Sequence, residues 1–120
     1  MVQNQSRLDT SFAALSDATR RGILEHLGRA DASITELADS FGMTLTGMKK
    51  HIGVLEQAGF VSTRKIGRVR TCTLGRRPLV AEAAWIGMYR QVWEARFDAL
   101  DTVIEHLQQK ENSDAPETSG

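Results

Sequence analysis

The chain has little of what most catalytic or secreted proteins need. Among 120 residues there is one cysteine, Cys72, which excludes an intramolecular disulfide and falls short of the two or more thiolates that structural zinc sites usually use. A reducing compartment fits such a chain best. No stretch approaches the roughly 18 uninterrupted apolar residues that spanning a bilayer requires, and the opening MVQNQSRLDT holds no apolar leader segment. A cytoplasmic protein with no membrane partner is therefore expected. Also missing are a phosphate-cradling glycine-rich loop, a G-x-S-x-G elbow and an HExxH zinc motif. His26, His51 and His106 are too scattered for any recognisable ligand spacing. The sequence thus predicts no enzyme, no metal and no cofactor.

Net charge is absent as well, the formal total being zero, but the distribution is uneven. Residues 1–43, 44–77 and 78–120 carry about −2, +7 and −5, and Glu56 is the sole acid of the middle segment. A basic middle between acidic flanks suits a chain with one face toward phosphates and the rest kept soluble.

At 41% apolar residues, the chain can fold as one compact domain, with modest stability unless a partner subunit adds burial. Leu8, Phe12 and Leu15 recur at helical spacing, and DATRRGILEHL brings Ile23, Leu24 and Leu27 to one face. Ser33-Ile34-Thr35-Glu36 has the form of a capping box ahead of Leu37, Ala38 and Phe41. Gly42 stops that third helix, Thr44 is placed to cap a fourth reaching about Ala58, and Gly59 ends it. Helix, tight turn and helix make a helix-turn-helix. FVSTRKI and RVRTCTL then alternate around Gly67 as a two-stranded hairpin. Pro78 suits the first turn of a long last helix reaching about Gln109. Along it Ile86, Tyr89, Trp93, Phe97, Leu100, Ile104 and Leu107 form a stripe that needs a facing partner. The fold class is mainly α with a small β-hairpin: a winged helix-turn-helix of about five helices. One domain over 1–109 and a disordered tail over 110–120 are expected.

On a helical wheel Met48, Ile52 and Leu55 of the fourth helix form the buried side. Thr46, Lys50, Gly53 and Gln57 lie opposite, flanked by Gly47 and Lys49. Small hydrogen-bonding groups and lysines in the first turns of a helix match what the major groove presents. Leu45, at the edge of the apolar side, reads as packing rather than as a thymine-methyl contact. His51, at the other edge, reads as a partly buried histidine near the phosphates. Arg64, Lys65, Arg68 and Arg70 surround Gly67. Beside a helix-turn-helix they suit phosphates or the minor groove better than mere protection of a strand edge. Arg76 and Arg77 are lesser candidates.

FAALSDATRRGILEHL, ITELADSFGMTLTGMKKHIGVLEQAGFV and GRVRTCTL together resemble the ArsR family of bacterial winged-helix repressors, over roughly residues 8–107. The resemblance implies a homodimer built from the first and last helices, including Leu8, Phe12 and Leu15 with Ile86, Tyr89, Trp93, Phe97 and Leu100. It also implies binding to an imperfect palindrome in duplex DNA and repression of the adjacent promoter. By position, Thr44, Thr46, Lys50 and His51 fall on the family's recognition-helix contacts, and Arg68 falls on its wing arginine. Metal-sensing members carry a cysteine pair in the third helix, or aspartate and histidine on the last. Here the first place reads SITEL, and the last helix has His106 with Asp98 and Asp101. The run PLVAEAAWIGMYRQVWEARFDALDTVIEHL resembles the branch without metal ligands. Gly47 stands where a hydroxyl residue is common, and Thr71 and Cys72 where aromatics are.

Three other readings stay open on the sequence. Cys72 could act as a redox sensor, though a strand cysteine is more often a small buried hydrophobe. Trp85, Tyr89, Trp93 and Phe97 could line a pocket for an apolar effector, though such a stripe is more often a dimer core. A protein-interaction module without DNA binding would have a neutralised fourth helix and wing, the opposite of what is found.

Overall fold

A computed structural model describes residues 2–114, with side chains over 6–113. The chain divides into two units, Met1–Glu82 and Ala83–Gly120; the expected domain over 1–109 spans both.

The first unit begins with α1 (Val2–Leu15) and α2 (Ala18–Arg29). Asp17 caps α2 by accepting from the Arg20 backbone N–H at 3.1 Å. The Arg20 side chain turns back, donating to the carbonyls of Ala14 at 2.8 Å and Ala13 at 2.9 Å, while Arg21 donates to that of Leu15 at 2.8 Å. These carbonyls have no partner within α1, so two arginines of α2 satisfy the end of the helix before it. A two-residue strand, β1 (Ala32–Ser33), leads into α3 (Ile34–Ser40). The expected capping box is present, Ser33 Oγ accepting from Glu36 N at 3.0 Å and Glu36 Oε1 from Ser33 N at 3.3 Å.

The turn to α4 (Leu45–Gln57) is set by Gly42 at φ 62°. Met43 N–H bonds to the Ala38 carbonyl and Gly42 N–H to that of Asp39, the double bond pattern of a Schellman motif. The same pattern closes α4, with Phe60 on Leu55 and Gly59 on Glu56. At its other end Thr44 Oγ1 accepts from Gly47 N at 3.0 Å.

β2 (Val61–Ile66) and β3 (Val69–Leu74) follow. A two-residue loop joins them, in which Gly67 alone has positive φ, 64°, the arrangement of a hairpin turn with glycine first. The sheet has three strands in the order β1-β3-β2, all antiparallel, with Ala32 opposite Cys72 and Ser33 opposite Thr71. The β2–β3 hairpin is the expected two-stranded wing; β1, two residues long and too short to show alternation, adds a third strand at its edge.

The core of this unit gathers Ala14, Ile23, Leu27, Leu37, Met48, Ile52, Leu55, Val61 and Cys72. From α1 the core takes Ala14, and Ser11 is buried on the same helix. Leu8 and Phe12 stay half-buried, whereas Leu15 packs on the core.

α5 (Val80–Asp114) begins two residues after Pro78 and carries the second unit. It passes the expected end at Gln109, so residues 110–114, read as tail, are helical; 115–120 lie outside the described residues. No helix among the described residues is long and apolar enough to cross a membrane.

Candidate nucleic-acid interface

α4 buries Met48, Ile52 and Leu55 against the core and leaves its other side open. Thr44, Leu45, Thr46, Lys49 and Lys50 are exposed over its first two turns, and Lys50, Gly53, Val54, Glu56 and Gln57 line an open hollow along the rest. Leu45 is 44% exposed, which corrects its expected role in packing: Met48 fills the core from the same turn and Leu45 is left at its edge, open to an apolar contact. At Gly47 a Cβ would come 3.1 Å from Thr44 Oγ1 and 3.4 Å from Met43 Cε. Glycine there makes room for the cap, a local reason that needs no ligand. At Gly53 an added Cβ would meet nothing.

His51 is turned away from this open side. Its Nδ1 lies 3.3 Å from Arg20 Nη1 and 3.8 Å from Asp17 Oδ2, with the side chain 21% exposed. The Arg20 backbone N–H holds the Asp17 carboxyl below its usual range, aided by His51. Asp17, Arg20 and His51 therefore tie the α1–α2 corner to α4. Sequence reasoning found the histidine but neither of its partners.

On the hairpin, Arg64, Lys65, Arg68 and Arg70 are all exposed. Arg64 faces Thr71 across the ladder and Lys65 faces Arg70. Glu56 at the end of α4 accepts from Thr63 Oγ1 at 2.8 Å, and Arg70 Nη1 donates to the same hydroxyl at 3.5 Å. The lone acid of the basic segment thus draws Arg70 toward α4, while among the described residues the cations nearest the turn have no such anchor. Arg77 is not a free cation. It donates to the Ala58 carbonyl and to Glu82 and sits over the Phe60 ring, so its expected place among the phosphate candidates is corrected; Arg76 remains exposed.

Cys72 is fully buried beneath the hairpin, where burial, with Glu56 adding to it, pushes the thiol up to about 11. Among the described residues no group of three or more His, Cys, Asp or Glu side chains is placed to hold a metal ion.

An exposed helix N-terminus bearing hydroxyls and lysines, beside a basic β-hairpin, has the layout of a duplex-DNA reader. A helix-turn-helix domain family matches residues 15–64. An uncharacterized HTH-type transcriptional regulator of Bacillus subtilis, YuzN, is 35% identical, the match covering 59% of this chain and 85% of that protein. The transcriptional repressor SdpR of the same organism is 28% identical over 66% of this chain and 88% of its own length. A crystal structure of an ArsR family transcriptional regulator superposes with a TM-score of 0.68 at 42% identity, covering 75% of this chain and 93% of that one. With the helix-turn-helix and wing in place, the chain belongs to the ArsR family of winged helix-turn-helix DNA-binding transcriptional regulators.

Proposed function

We propose that the chain is a homodimeric repressor that binds a palindromic operator. In this reading the open side of α4 reads bases through Thr44, Thr46 and Lys50, with Gly47 and Lys49 nearer the DNA backbone, while His51, turned to Arg20 and Asp17, holds α4 in place instead of meeting a phosphate. Arg64, Lys65, Arg68 and Arg70 of the hairpin hold phosphates or enter the minor groove. Duplex DNA as the target carries a cytoplasmic location with it.

The observation that carries the dimer is the surface of α5. Trp93, Phe97, Leu100 and Ile104 are each 43–52% exposed on successive turns, with Ile86 and Tyr89 continuing the row. A row of this length left in water favours a second helix, and a second copy of the chain is the usual source in soluble regulators. Half-buried Leu8 and Phe12 would add to such an interface. SdpR is a transcriptional repressor, and likeness to it supports repression in this reading. Relatives that are regulators rather than enzymes fit a chain without catalytic activity.

Sedimentation of the purified chain together with footprinting of the DNA it selects tests the proposal. A dimer protecting two half-sites about one helical turn apart is expected. A folded monomer, or one protected asymmetric half-site, contradicts it. Redox sensing through Cys72 is disfavoured by its burial and raised thiol pKa.

A further inference from the structure

Arg77 lies in the short segment between the hairpin and α5, and its guanidinium meets three elements. Nη1 donates to the carbonyl of Ala58, the C-cap of α4, at 3.0 Å. Nη2 donates to Glu82 Oε2, in the first turn of α5, at 2.7 Å. The guanidinium carbon stands 5.0 Å from the centre of the Phe60 ring at the root of β2. Both charged side chains are withdrawn from water, 13% and 3% exposed.

The neighbouring residues make room for this contact. A Cβ on Gly59 would come 3.0 Å from Arg77 Cδ, so glycine there both adopts φ 81° and lets the arginine pass over it. On the far side Ser11 of α1 lies against the Glu82 carboxylate, and its hydroxyl, with Arg77, holds that carboxyl below its usual range despite burial. Ser11 has one proton to give. The Arg7 carbonyl, 2.8 Å away, competes for it, and among the described residues Glu82 Oε1 has no donor at hydrogen-bond distance. The charges also suit their places, a cation at the C-terminus of α4 and an anion at the N-terminus of α5.

A buried ion pair is a poor means of adding stability, since desolvation consumes most of the attraction. What it supplies is direction. Among the described residues, this one joins the end of the DNA-reading helix to the start of the helix that carries the apolar row.

We propose that Arg77 is a positioning residue for operator recognition: by fastening the C-terminus of α4 to the first turn of α5, it sets which half-site spacing the dimer accepts. The proposal rests on the homodimer-on-palindrome reading above. Arg77 does not touch DNA in it, and its effect runs through the angle at which α4 is held.

The test uses the full chain, Arg77→Met, Arg77→Lys and Glu82→Gln, after melting curves and sedimentation have established folding and assembly. Each protein is titrated with duplexes that carry the inverted repeat selected by the unsubstituted chain, its half-sites moved closer or apart by one or two base pairs. A second set carries a single changed base within a half-site. The unsubstituted chain should discriminate against the altered spacings by about tenfold or more, and Arg77→Met by less than about threefold. Both should lose the same factor for the changed base. Glu82→Gln should move in the direction of Arg77→Met, and Arg77→Lys should restore part of the discrimination. Equal loss on every spacing would overturn the proposal, since simple destabilisation lowers all affinities alike. Unaltered discrimination would overturn it too. Should Arg77→Met fail to fold, Glu82→Gln gives the same readout. Failure of the unsubstituted chain to prefer any inverted repeat would instead remove the reading on which the proposal stands.

Discussion

Lys65 and Arg70 stand directly opposite one another in the β2–β3 ladder, so two cations share one face of the hairpin near its turn. Among the described residues no carboxylate forms an ion pair with either; Glu56 reaches Arg70 only through the Thr63 hydroxyl. Like charges in directly opposed positions destabilise a sheet by roughly 0.2–1 kcal/mol. A hairpin shaped only for folding would avoid the pairing, whereas a DNA phosphate would relieve it.

Lys65→Thr should therefore act in opposite directions on folding and on binding. Folding stability should rise by about 0.5 kcal/mol at low salt, the gain shrinking as salt screens the repulsion. DNA affinity should fall, and the log–log salt slope should lose about one phosphate equivalent, near 0.9. Urea melts and duplex titrations at several salt concentrations measure both. A variant that loses stability while keeping its salt slope would show that the pair serves the fold.

Much of the helix-turn-helix was legible because its signals are local. The Ser33–Glu36 box, the Gly42 turn, the Thr44 cap and the Gly59 stop each act within three or four residues, and each is found where the sequence placed it. What escaped depends on contacts between distant segments. β1 exists because β3 lies beside Ala32 and Ser33, and nothing in two residues announces a strand. Arg20 meets His51 across 31 positions and Arg77 meets Ala58 across 19, separations with no periodic signature. Leu45 sits at the margin of the apolar side, where a wheel does not decide between core and solvent; Met48 fills the core from the same turn. On α1 the apolar spacing drew attention to Leu8 and Phe12, yet the small residues Ser11 and Ala14 make the closest approach.

The two caps of the helix-turn-helix should separate in their consequences. Ser33→Ala removes a cap that is buried in the fold, and should cost about 1 kcal/mol of stability with little change in affinity per folded molecule. Thr44→Ala should cost a similar amount and also weaken DNA binding, because its residue is exposed at the start of α4. Thr44→Ser, which keeps the acceptor for Gly47, should regain most of the stability. Equal stability of Thr44→Ala and the unsubstituted chain in urea would mean that the cap is idle.

Cys72 should be unreactive in the native state. Its thiol is raised from the usual 9.0 to about 11, so an unfolded chain releases the proton first, and stability is undiminished below about pH 9 and declines between 9 and 11. Cys72→Ala should remove that part of the alkaline decline. Iodoacetamide at pH 8 should modify the native protein far more slowly than the chain in denaturant. Comparable rates would restore the thiol as a candidate sensor.

On the acid side, Asp17 and Glu82 shift the other way. Asp17 is lowered chiefly by the Arg20 backbone N–H, and Glu82 by the Ser11 hydroxyl with help from Arg77. A carboxyl lowered in the native state contributes stability above its unfolded pKa and loses it as pH falls through the native one. Stability should thus hold at neutral pH and decline below the ordinary carboxylate range. Glu82→Gln should be less stable at pH 7 but lose less on acidification. A parallel decline in both proteins would show that Glu82 carries none of the acid sensitivity.

Base reading and phosphate holding should separate by position. Thr46 and Lys50 lie on the open side of α4, Arg64 lies on β2 and Arg68 in the hairpin turn. Lys50→Ala or Thr46→Ala should cost about 1–3 kcal/mol on the selected operator and relax preference at one or two base pairs. Losses on a scrambled duplex should be small for Thr46, which carries no charge. Arg68→Ala should weaken selected and scrambled duplexes by the same factor and flatten the salt slope by about 0.9. A lysine in the groove can answer a guanine, but an arginine at a hairpin tip meets whatever phosphate docking brings beneath it. Titrating these variants on both duplexes resolves the two roles, and identical losses throughout would mean that α4 does not read bases.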